Sequence, residues 1–174
     1  METNAIHQQV NAQVEQIISP VALLEHWQGH RRLTRKTIEA FPEDKLFNYS
    51  IGGMRPMADL ALEIMDLSKD GIDGIVTGEW KPVAELDHAT GKTNFKSKTE
   101  LLQQWDQITA QINQLWPRIS EQRFLEVDLA FGAYEGKIID LLLYFIDNEI
   151  HHRAQSYVYL RSLGIEPPEF WNRW

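Results

Sequence analysis

Apolar residues recur along much of the chain at spacings of three and four, which is the period of an amphipathic α-helix. Helices are therefore predicted over four segments, residues 20–40, 55–69, 98–119 and 136–163. Ser19-Pro20 is typical of a helix start, and Ser97-Lys98-Thr99-Glu100 matches a capping box. Four helices without a credible sheet predict an all-α fold, a four-helix bundle.

The segments between these helices lack a clear period. Gly71 and Gly74 are interpreted as the end of the second helix, and a long loop is predicted over Gly71–Lys96. Residues 124–129 alternate briefly, which fits an extended linker or an edge strand and is too short to change the fold class. Residues 1–18 are predicted to form a polar N-terminal arm before one domain over residues 19–174.

Charge and composition narrow the function classes. The chain has 174 residues and a formal net charge of −8, which disfavours nucleic acid as a partner because phosphates require many Lys and Arg contacts. The basic cluster Arg31, Arg32, Arg35 and Lys36 is interpreted as a solvated helix face rather than a phosphate site.

Membrane association and secretion are not expected. No apolar run approaches the ~20 residues that span a bilayer, and the N-terminus lacks a signal-peptide pattern, so a cytoplasmic location is expected. The chain contains no Cys, and any thiol chemistry would therefore need an external thiol.

Polar side chains interrupt the apolar face of the last predicted helix at 147–155. Asn148, His152, Gln155 and Tyr159 share one helical stripe, whereas His151 points about 100° away. Glu63 borders the apolar stripe of the second predicted helix and also needs a partner if buried. Glu63 and His152 are therefore half of a metal site or simply a buried ion pair, and the spacing leaves both interpretations open.

The other histidines carry weaker signals. His26 and His30 have the i, i+4 spacing of a helical metal pair, but their position beside Trp27 and the basic cluster favours a surface or packing role. His7 and His88 lie in poorly patterned segments and predict no chemistry.

The C-terminal third carries a family resemblance. Ile150-His151-His152-Arg153-Ala154-Gln155, followed by Tyr159-Leu160-Arg161 and Leu163-Gly164-Ile165, resembles the C-terminal signature of DinB/YfiT-like proteins. Three further segments resemble that family and occur in the same order, namely Leu24-Glu25-His26-Trp27, Met54–Ile64 and Thr77-Gly78-Glu79-Trp80. The resemblance therefore covers the chain from about Leu23 to its end.

The resemblance implies a four-helix bundle with a divalent-metal site, in which the family uses one His from helix two and a His-x3-His pair on the last helix. The matching positions here are Glu63, Asn148 and His152, so only His152 keeps the family's ligand type. Carboxylate, amide and imidazole form a harder donor set than three imidazoles, which favours manganese, magnesium or loosely held zinc over tightly held zinc. A divalent metal, zinc, nickel or manganese, is therefore expected to be weakly bound or absent.

Two functions follow from the resemblance. The first is a metal-dependent thiol S-transferase or hydrolase that acts on a small molecule with a low-molecular-weight thiol, with Arg153 or Tyr159 as orienting groups. The second is a non-catalytic small-molecule-binding or stress-response module, whose pocket contains a polar hydrogen-bond network formed by Glu63, Asn148, His152 and Gln155. A homodimer is expected, because relatives often pair and because six Trp and an aromatic C-terminal tail exceed what the core needs.

Overall fold

A computed structural model describes residues 17–91 and 95–174 of the chain, and these are mostly helical. The helices of this part are α1 Pro20–Ala40, α2 Glu43–Asn48, α3 Met57–Thr77, α4 Asp87–Thr90, α5 Lys98–Leu115 and α6 Ile138–Ser162. Helices α1 and α3 each contact both α5 and α6, and the four long helices enclose one hydrophobic core. No helix in the described residues is long and apolar enough to cross a membrane.

Both predicted helix-start signals are used. The Ser19 side chain accepts a hydrogen bond from the backbone N–H of Ala22 at the start of α1, and Ser97 accepts one from Glu100 at the start of α5. The Glu100 carboxylate reaches back to the N–H of Lys96 rather than to that of Ser97. The predicted arm lies outside the described residues except for its last two, Ile17 and Ile18, which are exposed.

Helix α3 is longer than the sequence predicted. A Cβ atom at Gly71 would lie 2.6 Å from the Phe145 ring, and one at Gly74 would lie 2.4 Å from the Trp80 ring. These glycines therefore allow close packing inside the helix, and the interpretation of them as its end is wrong. The helix ends instead at Gly78, whose φ of +76° suits a left-handed C-terminal cap, and the long connection begins there.

A small β-hairpin corrects the expectation that the chain has no sheet. Strands β1 Val127–Ala130 and β2 Tyr134–Lys137 pair antiparallel, with Leu129 opposite Glu135. Phe131 in the turn is buried and has a φ of +55°, which is uncommon for a residue other than glycine. Its carbonyl accepts the backbone N–H of Val83 at 3.0 Å, which joins the hairpin to the connection after α3.

Arg31 is a fully buried arginine of α1 that contacts the other three long helices. From α1 its guanidinium donates to Thr109 Oγ1 (2.8 Å) and the Trp105 carbonyl (3.2 Å) on α5, and to Ser68 Oγ (3.1 Å) on α3. The Glu149 carboxylate on α6 lies 3.9 Å away. The prediction of a solvated basic face is therefore wrong at Arg31, because this position of α1 faces the interior.

Glu149 is the buried anion that compensates this charge. Thr34 Oγ1 donates to its Oε1 at 2.6 Å, and Nη1 of Arg153 lies 3.9 Å from the same oxygen. Burial raises the pKa of Glu149, while Arg31, Thr34 and Arg153 act in the opposite direction. Burying a charge without a partner has a high free-energy cost. Any shift of α1 along α6 would separate Arg31 from Glu149, so the pair is expected to hold the two helices in one register.

Replacement of Arg31 by Met should lower the free energy of unfolding by about 3–5 kcal/mol, because it leaves the Glu149 carboxylate buried without its main cation. Urea denaturation followed by circular dichroism measures this loss. The double variant Arg31→Met/Glu149→Gln should be more stable than the single variant. Arg35→Met on the same helix is the control, since its ion pairs are exposed and should contribute no more than about 1 kcal/mol. Equal losses at Arg31 and Arg35 would contradict this account of the core.

Candidate functional site

Helices α3 and α6 bring the three predicted ligand residues together. Glu63 Oε1 lies 3.0 Å from His152 Nε2 and accepts a hydrogen bond from Asn148 Nδ2, also at 3.0 Å. Asn148 Nδ2 is 3.3 Å from His152 Nε2. We call these three side chains the polar cluster. Asn148 and His152 are one helical turn apart on α6 and face the same residue of α3, as the stripe predicted.

The charge of Glu63 is stabilised from two sides. His152 hydrogen-bonds to Oε1, and Arg55, from the segment before α3, donates to Oε2 at 2.5 Å. The hydrogen bond with His152, followed by those with Arg55 and Asn148, holds the pKa of Glu63 well below its usual range in spite of partial burial. Glu63 is therefore a carboxylate at neutral pH.

The far side of the His152 ring is also held in place. His152 Nδ1 lies 3.1 Å from Gln155 Oε1, and Gln155 Nε2 lies 3.1 Å from the ring of His151. A carboxylate only accepts, so the contact with Glu63 requires a hydrogen on Nε2; a metal ion at Nε2 would replace that hydrogen, and Nδ1–H would then donate to the Gln155 amide oxygen. An outer hydrogen bond of this kind is typical of metal-binding histidines.

The polar cluster fits a divalent ion in its spacing. Donor atoms that share an ion at about 2.0–2.2 Å lie roughly 3 to 3.4 Å apart, which is the range of the three separations here. Asn148 Oδ1 is buried without a hydrogen-bond partner, and rotation of the amide by half a turn would aim that oxygen at the same point. Over residues 17–91 and 95–174, no three His, Cys, Asp or Glu side chains are placed so that they could hold a metal. A metal at the polar cluster would therefore need the Asn148 amide as its third ligand.

A cleft of about 330 Å³ begins at Glu63. It lies between α3, the connection after it, the hairpin and the first half of α6. Most of its wall is apolar, and its larger members are Leu67, Leu86, Phe131, Leu141 and Phe145. The polar cluster is thus next to a space large enough for a small organic molecule.

Comparison with known proteins identifies the family. The DinB family model matches residues 6–174. The chain belongs to the DinB family. A DinB-like protein from Bacillus subtilis, known from a crystal structure, is 20% identical and superposes with a TM-score of 0.67 over 87% of this chain and 99% of that one. This likeness shows the shared fold, whereas comparison with curated proteins gave no match.

The structure of this DinB family protein also contains a pair that the sequence did not reveal. Asp66 Oδ2 accepts both the backbone N–H and the ring Nδ1 of His88, each at 2.7 Å, and His88 lines the cleft. The two residues are 22 positions apart and lie on α3 and α4, so no local spacing could have indicated the contact.

Other residues weighed from the sequence lie away from the polar cluster, have structural roles or fall outside the described residues. Arg153 faces α1, where it donates to His30 and Thr34, so its predicted role as an orienting group is not supported. Tyr159 donates to the Arg55 carbonyl at 2.9 Å and thereby supports the segment that carries the Glu63 partner. His30 is buried and its partner His26 is exposed, while His7 lies outside the described residues.

Proposed function

We propose that this DinB family protein is a metal-dependent enzyme built on a four-helix bundle, a thiol S-transferase or hydrolase that acts on a small molecule. The convergence of Glu63, Asn148 and His152, of which Glu63 lines the cleft, carries the proposal. Family membership supports it, since the resemblance predicted a metal at the same three positions. A cytoplasmic location and the lack of a nucleic-acid partner belong to the proposal, the latter because the net charge is −8.

Glu63, Asn148 and His152 would hold the ion through a carboxylate oxygen, an amide oxygen and an imidazole nitrogen. A bound divalent ion supplies a Lewis acid that lowers the pKa of a coordinated thiol or water. Because two of the three donors are oxygens, manganese is favoured over tightly bound zinc or nickel. Arg55 weakens the site, since its guanidinium already neutralises part of the Glu63 charge.

The rest of the machinery consists of this chain's own side chains. Gln155 orients the His152 ring, and the Tyr159 hydroxyl holds the Arg55 segment. The apolar wall of the cleft would exclude water from a bound substrate and strengthen polar contacts beside Glu63.

A second candidate is a non-catalytic small-molecule-binding module. It is favoured by the direct contacts of Glu63 with Arg55, Asn148 and His152, which satisfy the carboxylate without any ion. In this case the polar cluster serves as a hydrogen-bond network at the end of the ligand cleft.

Titration with Mn²⁺ and Zn²⁺ by calorimetry separates the two candidates. The wild type should bind one ion per chain, and His152→Ala should abolish binding because it removes the only imidazole ligand. His151→Ala is the matched control and should reduce affinity only slightly, since that ring is exposed and supports His152 only by an edge contact and through the Gln155 amide. Equal binding by the wild type and His152→Ala would overturn the metal proposal, and no binding by the wild type would favour the module.

We also propose that the protein is a homodimer. Three aromatic residues of the C-terminal tail are largely exposed in the single chain, Phe170, Trp171 and Trp174. Such a surface is unusual for a monomer and is typical of a protein contact.

Multi-angle light scattering at micromolar concentration should give about twice the chain mass of 20.2 kDa. Replacement of Trp171 by Ser should shift the protein towards the monomer if the tail forms the contact. A monomer mass for the wild type at every concentration would exclude the dimer.

A further inference from the structure

The cleft that begins at Glu63 has aromatic walls. Phe131 from the hairpin turn and Phe145 from α6 are 6.0 Å apart between ring centroids, and Tyr144 is 6.5 Å from Phe145. Tyr134 of β2 also lines the space. Aromatic faces carry negative electrostatic potential, so such walls accept both apolar groups and cations.

The charges around this cleft have one sign. Glu63, Glu135 and Asp140 line it, and no Lys or Arg does so among the described residues. Glu63 is paired with Arg55, whereas Glu135 and Asp140 have no ion pair within residues 17–91 and 95–174. Carboxylates around a low-dielectric cleft create a negative potential that attracts cations and repels anions.

The Asp66–His88 pair adds an oriented hydrogen-bond acceptor. An ionised carboxylate can only accept, so the ring nitrogen 2.7 Å from Asp66 carries the hydrogen, and in the neutral ring Nε2 then carries the lone pair. Asp66 also accepts the backbone N–H of His88, which fixes the ring relative to α3. The His88 side chain lines the cleft.

Phe131 has a backbone conformation that an unconstrained residue would avoid. Its positive φ places a large side chain in the interior at a turn, where glycine would be easier to accommodate. The contact of its ring with Trp80, at a centroid distance of 5.3 Å, and its carbonyl bond to Val83 hold it there. Such conformations persist where the surroundings enforce them, and here the result is a ring on the cleft wall.

We propose that the cleft binds a small organic cation, an ammonium group on an apolar body about the size of one aromatic ring. The body packs against Phe131, Leu141 and Phe145, the carboxylates supply the attractive potential, and His88 Nε2 accepts an N–H of the ammonium group. This inference names the substrate class of the proposed function and rests on that function for its catalytic meaning. The binding itself requires no metal.

Three isosteric probes test the inference on protein treated with a chelator: benzylamine, benzyl alcohol and benzoate. Binding is followed by ligand-induced shifts in protein NMR spectra. Benzylamine should bind about tenfold more tightly than benzyl alcohol, because only the amine is charged, and benzoate should not bind. Shifts should concentrate at Phe131, His88 and Phe145.

Two kinds of variant separate what the carboxylates and His88 each contribute to benzylamine binding. Glu135→Gln/Asp140→Asn should bring benzylamine close to the affinity of benzyl alcohol, whereas the control Glu121→Gln, an exposed carboxylate outside the cleft, should leave the preference unchanged. His88→Phe keeps a ring but removes the acceptor, so it should weaken both the amine and the alcohol severalfold.

Three results would overturn the inference. These are equal binding of the amine and the alcohol by the wild type, binding of benzoate by the wild type, and a preference for the amine that survives in the double variant Glu135→Gln/Asp140→Asn. Because these measurements exclude metal, they are independent of the ion titration. Ion binding without amine preference would remove this inference alone, and amine preference without ion binding would remove the metal-dependent activity while the cation site remained.

Discussion

The fully buried guanidinium of Arg31 limits how the four long helices can pack, because its charge must be compensated by the Glu149 carboxylate 3.9 Å away. A charge at that depth has few acceptable positions, and the guanidinium must meet oxygen atoms from α3 and α5 while facing α6. Glu149 therefore fixes the face of α6 that is turned to α1. Successive residues on a helix are rotated by about 100°, so Asn148 is directed to a different neighbour, which is α3.

The polar cluster follows from that rotation. With Glu149 and Arg153 turned to α1, the stripe that carries Asn148 and His152 meets Glu63. The same face of α6 continues towards its N-terminus through Tyr144 and Asp140, which line the cleft. One helix thus carries a structural charge network on one side and the candidate binding surface on another. The alternation of these roles explains why so many polar residues interrupt its apolar pattern.

Periodicity was sufficient to predict that the chain has four long helices and that Asn148 and His152 share one face of the last helix, whereas the pairing of that face with Glu63 as a three-residue set was implied by the family resemblance. Periodicity gave wrong predictions where residues far apart in the sequence determine the environment of a side chain. Gly71 and Gly74 look like helix ends until Phe145 and Trp80 are seen against them, and Arg31 looks solvated until its partners on other helices are known. The Asp66–His88 pair likewise depends on the path of the connection, which no local pattern specifies.

The orientation of the Asn148 amide distinguishes the metal site that we propose from a closed hydrogen-bond network. A crystal structure of the protein grown with Mn²⁺, with anomalous scattering data, tests this proposal most directly. The account predicts an anomalous peak within about 2.0–2.3 Å of Glu63, His152 Nε2 and Asn148 Oδ1, with the amide rotated from its present position. A structure without a peak there, in which Asn148 Nδ2 still donates to Glu63, would contradict it.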